Sequence, residues 1–232
     1  MPARGNYGYK PDLPGAIARS EALGTIEAVG AGVVASMIGA WVTVAGVHGT
    51  WAEYFVAPAS RVLPLAEAIS DTVGAQLIAM PFSALSLLEM LRARKGDWIV
   101  QTAANGAVGK VTATLAKARG IRLLNLVRRS AAVAESMGLG MENILSTSDG
   151  GWKDAARKII GKAGAVSAVD SVGGDMASDR VDLLGDDGEL VVFGTATGAP
   201  ISVSSGALIL KQITVKGFWG SRVSQNMDPE QR

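Results

Sequence analysis

The chain has 232 residues, which is enough for one large domain or two small ones. Lys and Arg together number 22, and Asp and Glu number 21; this balance argues against a general nucleic-acid binder, whose surface would be basic. Cysteine is absent and His48 is the only histidine, which excludes disulfides, thiol nucleophiles and zinc sites built from cysteine or several histidines.

Short β-strands are predicted in the first part of the chain, between glycine-rich turns. The strand-like stretches are residues 24–33, 39–46, 50–58 and 61–65. Residues 28–47 carry no charge and are long enough for a membrane span, but glycines interrupt them and many residues are β-branched. Two buried strands fit this stretch better and no signal peptide is visible, so we expect no membrane segment and a cytoplasmic protein.

A helical region comes next, followed by a regular alternation of strands and helices. Ser70 and Asp71 begin a helix, and helical spacing continues through residues 83–94. Strands are then predicted at residues 97–103, 121–127, 143–147, 166–174, 188–196 and 213–220, and helices at residues 108–119, 131–137, 151–164 and 176–184. Such alternation is typical of βαβ units, so we predict an α/β fold with a doubly wound parallel sheet of the Rossmann type. Residues 226–232 are typical of a further helix start, with Asp228 as N-cap.

The stretch AANGAVG, residues 103–109, lies between the first of these strands and the helix that follows it. Small residues let the backbone approach a pyrophosphate closely, and a helix N-terminus offers free N–H groups and a partial positive charge. The pattern departs from G-x-G-x-x-G because Ala103 and Ala104 stand where glycine is expected. The residues of this turn that we predict to bind a dinucleotide are Asn105, Gly106, Ala107, Val108 and Gly109.

Two arginines and a serine follow the second parallel strand: Arg128, Arg129 and Ser130. A fold that prefers NADH places an acidic residue here, which binds the ribose 2′-OH. A guanidinium group instead pairs with a 2′-phosphate through charge-assisted hydrogen bonds. The sequence therefore predicts NADPH as cofactor, and the alternative is that these arginines are ordinary solvated charges at a strand end.

The ends of two later strands carry further candidates. Ligands of open α/β sheets lie beyond the carboxyl ends of the strands, so these turns are expected to line the nicotinamide half of the cofactor. The candidate residues are Ser171, Val172, Gly173, Phe193, Gly194, Thr195 and Ala196. The alternative is that these are ordinary turns, which also need glycine.

Six stretches together resemble one known family: GNYGYKPDLPG, GTWAEYFVAP, AANGAVG, LVRRS, VDSVGG and KGFWGS. The chain resembles a zinc-free medium-chain dehydrogenase/reductase, on the branch of quinone oxidoreductases and trans-2-enoyl-thioester reductases. The resemblance implies a partial, mostly β GroES-like catalytic domain at residues 1–90 and a Rossmann NADPH-binding domain at residues 91–232. Family members have further strands before Tyr7 and further elements after Arg232, so we expect the chain to correspond to the middle of such a protein.

The resemblance also assigns roles to single residues. It implies that Tyr7 is the catalytic residue, for which the alternative is a packing aromatic or a disordered terminus. It extends the cofactor site to Phe218, Trp219 and Gly220. Ser83 and Trp51 are candidates for the substrate pocket, although large aromatic residues more often belong to a core. Ser83 lies in a segment, residues 80–84, that lacks the asparagine often found there in the enoyl reductases.

The implied reaction is NADPH-dependent reduction of a trans-2-enoyl thioester, with hydride transfer to the β-carbon. A phenol O–H stays protonated at neutral pH, so Tyr7 can stabilise the thioester oxygen or protonate the α-carbon, and no metal is required. The first alternative is an NADPH:quinone oxidoreductase, and the second is an inactive remnant that binds the cofactor. Residues 213–220 are typical of an edge strand, and the resemblance implies that such edges pair across a two-fold axis, so we expect a homodimer.

Overall fold

The computed structural model describes residues 14–227, and these residues form two compact units. The first unit ends at Phe82 and the second begins at Ser83. The family resemblance implies a domain boundary further along the chain, between residues 90 and 91. No helix in the described range is both long and apolar enough to cross a membrane.

An antiparallel sheet forms the centre of the first unit. Its strands are β1 (Glu21–Thr25), β2 (Trp41–Ala45) and β3 (Val62–Pro64), with β2 in the middle. The β-branched residues of β2 are buried on both faces, and Thr43 donates its hydroxyl to the carbonyl of Ala22 at 3.2 Å. A short helix, α1 (Asp71–Gly74), follows β3. The predicted small β domain is thus represented by this sheet.

Residues 50–58 do not form the predicted strand, and that prediction is wrong. Trp51, Tyr54 and Val56 are exposed, and no strand among residues 14–227 pairs with this stretch. A β-type sequence becomes a strand only where a neighbour accepts its hydrogen bonds and covers one of its faces. The first predicted strand is displaced for a related reason, because the residues that pair with β2 are Glu21–Thr25 rather than residues 24–33.

Six parallel strands form the sheet of the second unit. They are β4 (Trp98–Gln101), β5 (Arg122–Val127), β6 (Ile144–Ser146), β7 (Ala165–Asp170), β8 (Leu184–Val192) and β9 (Thr214–Gly217). Their spatial order is β6-β5-β4-β7-β8-β9, and every paired strand is parallel to its neighbour. This is the strand order of a doubly wound dinucleotide-binding sheet, so the predicted fold class is confirmed.

Helices cover both faces of this sheet. They are α2 (Ala79–Met90), α3 (Ala107–Ala118), α4 (Ala131–Gly138), α5 (Trp152–Ile160), α6 (Met176–Leu183), α7 (Ser205–Lys211) and α8 (Gly220–Asn226). Successive strand residues point to opposite faces, so Val100 packs in the cluster of α5 and α6, whereas Ile99 packs in the cluster of α2 and α3. Burial on both faces explains why the central strands β4, β5 and β7 consist mainly of apolar residues.

Two helices near the end of the second unit were not predicted. Helix α7 begins after Ser204, whose Oγ accepts a hydrogen bond from the N–H of Ala207, and α8 occupies the turn that follows β9. Both helices are short, and helices of this length depend on tertiary packing more than on sequence propensity. The predicted N-cap Asp228 lies outside the described residues. Strand β8 also begins at Leu184 rather than at residue 188, ahead of a register shift opposite β7.

Candidate functional site

Strand β4 lies at the point where the strand order reverses, between β5 and β7. Thr102, which follows β4, makes polar contacts with the residues at the end of β7. The Oγ1 of Thr102 lies 3.3 Å from a carboxylate oxygen of Asp170 and accepts a hydrogen bond from the N–H of Ser171 at 2.8 Å. The crevice of a doubly wound sheet forms at such a reversal, on the carboxyl side of the strands, so ligand-binding residues are expected here.

The N-terminus of α3 opens at this crevice. Gly106 is its N-cap residue, and no side chain caps the helix, so the backbone N–H groups of the first turn face outward without a side-chain acceptor. A Cβ at Gly109 would lie 2.6 Å from the carbonyl oxygen of Ala104, so only glycine allows α3 to pack this closely. Ala103 adopts φ 50°, a left-handed conformation in which the fingerprint normally has glycine. The turn therefore has the geometry of a pyrophosphate cradle, and all five residues predicted from it lie at this helix start.

Replacing Gly109 by alanine should disrupt the cradle. We expect a loss of about 1–3 kcal/mol in the free energy of unfolding, as for other overpacked sites, because the new Cβ must displace the backbone of Ala104. Gly138 at the end of α4 is the matched control, since a Cβ there meets nothing within 4 Å. Urea unfolding of both variants checks this expectation, and equal stability of the two would contradict it.

Arg128, Arg129 and Ser130 lie immediately after β5, and all three are exposed. Among the carboxylates of residues 14–227, none lies within ion-pair distance of either arginine. The turn itself is fixed, because Ser146 at the end of β6 donates its hydroxyl to the carbonyl of Arg128 at 3.1 Å. Two guanidinium groups are thus presented to solvent at the strand that neighbours the α3 cradle.

The turn after β7 is organised by one buried carboxylate. Asp170 is fully buried and accepts hydrogen bonds from the N–H groups of Val172 at 3.2 Å and Gly173 at 3.0 Å. Its carbonyl accepts the N–H groups of Phe193 and Gly194 from the end of β8. The two predicted turns, residues 171–173 and 193–196, are therefore held side by side.

Arg180 of α6 supplies positive charge within this buried region. Its side chain is almost completely buried and donates to the carbonyl of Met176. Burial lowers the pKa of Arg180, whereas the negative charges of Asp170 and Asp179 raise it. The sequence analysis missed Thr102, Asp170 and Arg180 as a group, although an aspartate at the end of an apolar strand was a signal for a buried polar contact.

The last predicted cofactor segment, residues 218–220, follows β9 and lies beside the end of β8. The N–H of Phe218 donates to the carbonyl of Val192, and the rings of Phe193 and Phe218 are 5.5 Å apart between centroids. A Cβ at Gly220 would lie 3.2 Å from the Oγ of Ser83, so the structure brings the predicted substrate residue Ser83 next to the predicted cofactor residue Gly220. Trp219, which precedes Gly220 in the chain, is about half exposed.

The predicted residues Trp51 and Tyr7 do not belong to the described part of the second unit. Trp51 belongs to the first unit, where its ring is exposed and the guanidinium of Arg19 lies 5.7 Å from its centroid. Tyr7 lies outside the described residues. Their assignments as substrate and catalytic residues remain predictions.

A family model described as "Zinc-binding dehydrogenase" matches residues 107–230, more than half of the chain. The mitochondrial enoyl-[acyl-carrier-protein] reductase of Bos taurus is 28% identical over 98% of this chain and 62% of the bovine protein. The corresponding Arabidopsis thaliana reductase is 30% identical over 93% of this chain and 59% of the plant protein. The chain thus spans about three fifths of the length of these relatives.

The chain is also similar in structure to solved quinone oxidoreductases. The Escherichia coli quinone oxidoreductase complexed with NADPH matches with a TM-score of 0.82 at 25% identity, over 93% of this chain and 67% of that chain. The Thermus thermophilus quinone oxidoreductase, solved alone and with NADPH, matches with a TM-score of 0.78 at 25% identity, over 95% of this chain and 67% of that chain.

The residues present do not fit the zinc ion in the family's description. The sequence has no cysteine and one histidine, and residues 14–227 contain no cluster of three His, Cys, Asp or Glu side chains that could hold a metal ion. The α3 cradle and the strand order fit a dinucleotide instead. By the match over residues 107–230, the chain belongs to the zinc-binding dehydrogenase family, among the medium-chain dehydrogenases/reductases.

Proposed function

We propose that the chain binds NADPH at the carboxyl edge of the six-stranded sheet and reduces the carbon–carbon double bond of a trans-2-enoyl thioester of CoA or acyl-carrier protein. The observation that carries the proposal is the pair of exposed arginines without carboxylate partners in the described range, at the end of β5 beside the α3 cradle. Guanidinium groups there suit a 2′-phosphate. The similarity to enoyl-[acyl-carrier-protein] reductases supports the substrate class.

In this proposal, separate groups of residues bind separate parts of the cofactor. The N–H groups at the start of α3 hold the pyrophosphate, and Arg128 with Arg129 pairs with the 2′-phosphate. The turns at residues 171–173, 193–196 and 218–220 border the nicotinamide half. When bound, NADPH supplies a hydride that adds to the β-carbon of the enoyl thioester; a proton adds to the α-carbon, so the products are the saturated thioester and NADP⁺.

The proton and the polarisation of the thioester must come from protein groups or water. The family resemblance assigns this role to Tyr7, whose phenol O–H would donate to the thioester oxygen or protonate the α-carbon. The hydroxyl of Ser83 lies near Gly220 and is suited to orient the substrate by a hydrogen bond. No step requires a metal ion.

NADPH:quinone oxidoreduction is the second candidate, favoured by the similarity to two quinone oxidoreductase structures. Oxidation of NADPH by crotonyl-CoA and by naphthoquinone, followed by absorbance, separates the two. We expect turnover of crotonyl-CoA, a loss of about a hundredfold in Tyr7→Phe, the usual contribution of a general acid, and little change in the matched control Tyr9→Phe.

Other results of this assay would contradict the enoyl reductase proposal. Turnover of the quinone alone, unaffected by Tyr7→Phe, would support the quinone oxidoreductase. Binding of NADPH without turnover of either acceptor would support an inactive remnant that only binds the cofactor.

We also propose that two copies associate through β9. This strand has a paired neighbour on one side only within the described residues, and it lies next in the chain to exposed apolar side chains of Ile209 and Leu210 on α7. Light scattering at micromolar concentration should give the mass of a dimer, and a monomer mass would contradict this.

A further inference from the structure

A carboxylate lies beside the arginine turn that follows β5. The hydroxyl of Ser130 donates a hydrogen bond to a carboxylate oxygen of Asp149. Asp149 stands in the turn after β6, where the N–H of Asp149 donates to the carbonyl of Ser146 at 3.3 Å. The ends of β5 and β6 are neighbours in the sheet, so this turn reaches the residues expected to hold the 2′-phosphate.

The hydroxyl group of Ser130 has two acceptors within reach, Ser148 and Asp149, and the geometry favours Asp149. Ser146 donates its single hydroxyl proton to the carbonyl of Arg128, so Ser148, at 2.9 Å from the Oγ of Ser146, is the donor in that contact. The Oγ atoms of Ser130 and Ser148 are 3.4 Å apart, a longer contact than the one with Asp149. The proton of Ser130 is therefore committed to a charged group.

The charge of Asp149 is exposed and has no ion-pair partner among the basic side chains of residues 14–227. A phosphate monoester carries nearly two negative charges at neutral pH and needs hydrogen-bond donors. Asp149 opposes it in two ways, because it holds the hydroxyl proton of Ser130 and adds negative charge beside Ser130, the residue that follows the arginine pair. A ribose 2′-OH, which is neutral and can donate, meets no such opposition.

We propose that Asp149 is a specificity-determining residue that weakens binding of the 2′-phosphate and so reduces the preference for NADPH over NADH. The inference rests on the proposed function, since it concerns the same cofactor site. Arg128 and Arg129 favour the phosphorylated dinucleotide, and Asp149 offsets part of their effect. The preference of the natural chain is the balance of these opposing charges.

Two substitutions separate the charge of Asp149 from its hydrogen bond. Asp149→Asn keeps an oxygen that accepts from Ser130 and removes the charge, whereas Asp149→Ala also frees the hydroxyl of Ser130. The matched control is Asp186→Asn, which removes one exposed negative charge near the amino end of β8, at the opposite edge of the sheet. The thermal midpoint of each variant verifies that the fold is retained.

Binding is measured by calorimetry, without turnover, for NADPH, NADH, adenosine 2′,5′-bisphosphate and AMP. Asp149→Asn should tighten binding of NADPH and the bisphosphate by about three- to tenfold, as expected for removing one exposed negative charge from the arginine turn, and leave binding of NADH and AMP within about twofold. Asp149→Ala should tighten the phosphorylated pair at least as much. The gain should shrink at high salt, because salt screens exposed charges.

The possible results are distinct. An unchanged or reduced ratio of NADH to NADPH dissociation constants in both Asp149 variants, with NADPH bound by the wild-type chain, overturns this inference and leaves the proposed function standing. An equal gain in Asp186→Asn also overturns it, since the effect would then be one of net charge. Failure of the wild-type chain to bind either dinucleotide overturns both proposals.

Discussion

Replacing Arg128 and Arg129 together by alanine is expected to weaken NADPH binding by about a hundredfold and to leave NADH binding within about twofold. Hydrogen bonds to charged groups contribute about 1.5–3 kcal/mol each. Because both side chains are exposed, we expect their combined contribution to correspond to roughly a hundredfold change in the dissociation constant. NADH lacks the 2′-phosphate and so loses no such contact. Fluorescence titration of both dinucleotides measures the two dissociation constants.

The matched control for this pair is the double variant Arg92→Ala and Arg94→Ala. Both of these arginines are exposed and precede β4, at the amino edge of the sheet and away from the carboxyl edge that carries the cofactor site. The control loses the same net charge but no group at the carboxyl edge. It should therefore retain the affinity for NADPH. Equal weakening of NADPH and NADH in the Arg128 and Arg129 variant would contradict the assignment of these residues to the 2′-phosphate.

Replacing Asp170 by alanine should cost about 3–5 kcal/mol in the free energy of unfolding. The carboxylate is fully buried, and its loss leaves the N–H groups of Val172 and Gly173 without their acceptor. It also removes a negative charge that stabilises the buried charge of Arg180, which then keeps only Asp179 among the two aspartates near it. Asp170→Asn should cost less, because the amide oxygen still accepts one hydrogen bond. Urea unfolding gives both values.

Asp175 offers the matched control for Asp170. It precedes α6 in the same segment, it is exposed, and its side chain caps no helix N–H, so Asp175→Ala should stay within about 0.5 kcal/mol of the wild type. The Asp170 variants should also bind NADPH more weakly, since the turn at residues 171–173 loses its support. An Asp170→Ala protein as stable as the control would show that the buried network does not hold this turn.

Sequence patterns predicted the parallel sheet well, because the signals involved are local. The strands that became β4, β5 and β7 are runs of mainly apolar residues, and burial on both faces demands such runs. The helix start at Gly106 and the arginine turn after β5 were predictable for the same reason. Each depends on residue types within a few positions of one strand end.

Features that depend on distant partners were not predicted. Residues 50–58 have a strand-like sequence, but no neighbouring strand in the described range pairs with them. Asp170, Thr102 and Arg180 are brought together from three separate elements, and no spacing along the chain reveals their contact. The hydrogen bond between Ser130 and Asp149 likewise forms only because β5 and β6 are neighbours in the sheet.

Ala103, which stands where the dinucleotide-binding fingerprint has glycine, shows that the residue pattern alone does not determine the backbone conformation. The pattern alone suggested a weak motif, yet Ala103 adopts the left-handed conformation that glycine normally provides. The close approach that needs glycine occurs at Gly109, where α3 meets the backbone of Ala104. The geometry of the cradle is therefore kept although one of its usual residues has changed.

Titration of the wild-type chain with NADPH and with NADH, at one ionic strength, shows whether the arginine turn after β5 selects the phosphorylated cofactor. Because two guanidinium groups stand after β5 and outweigh the carboxylate of Asp149 beside Ser130, NADPH should bind at least about tenfold more tightly than NADH. Equal dissociation constants for the two dinucleotides, or no binding of either, would contradict the account.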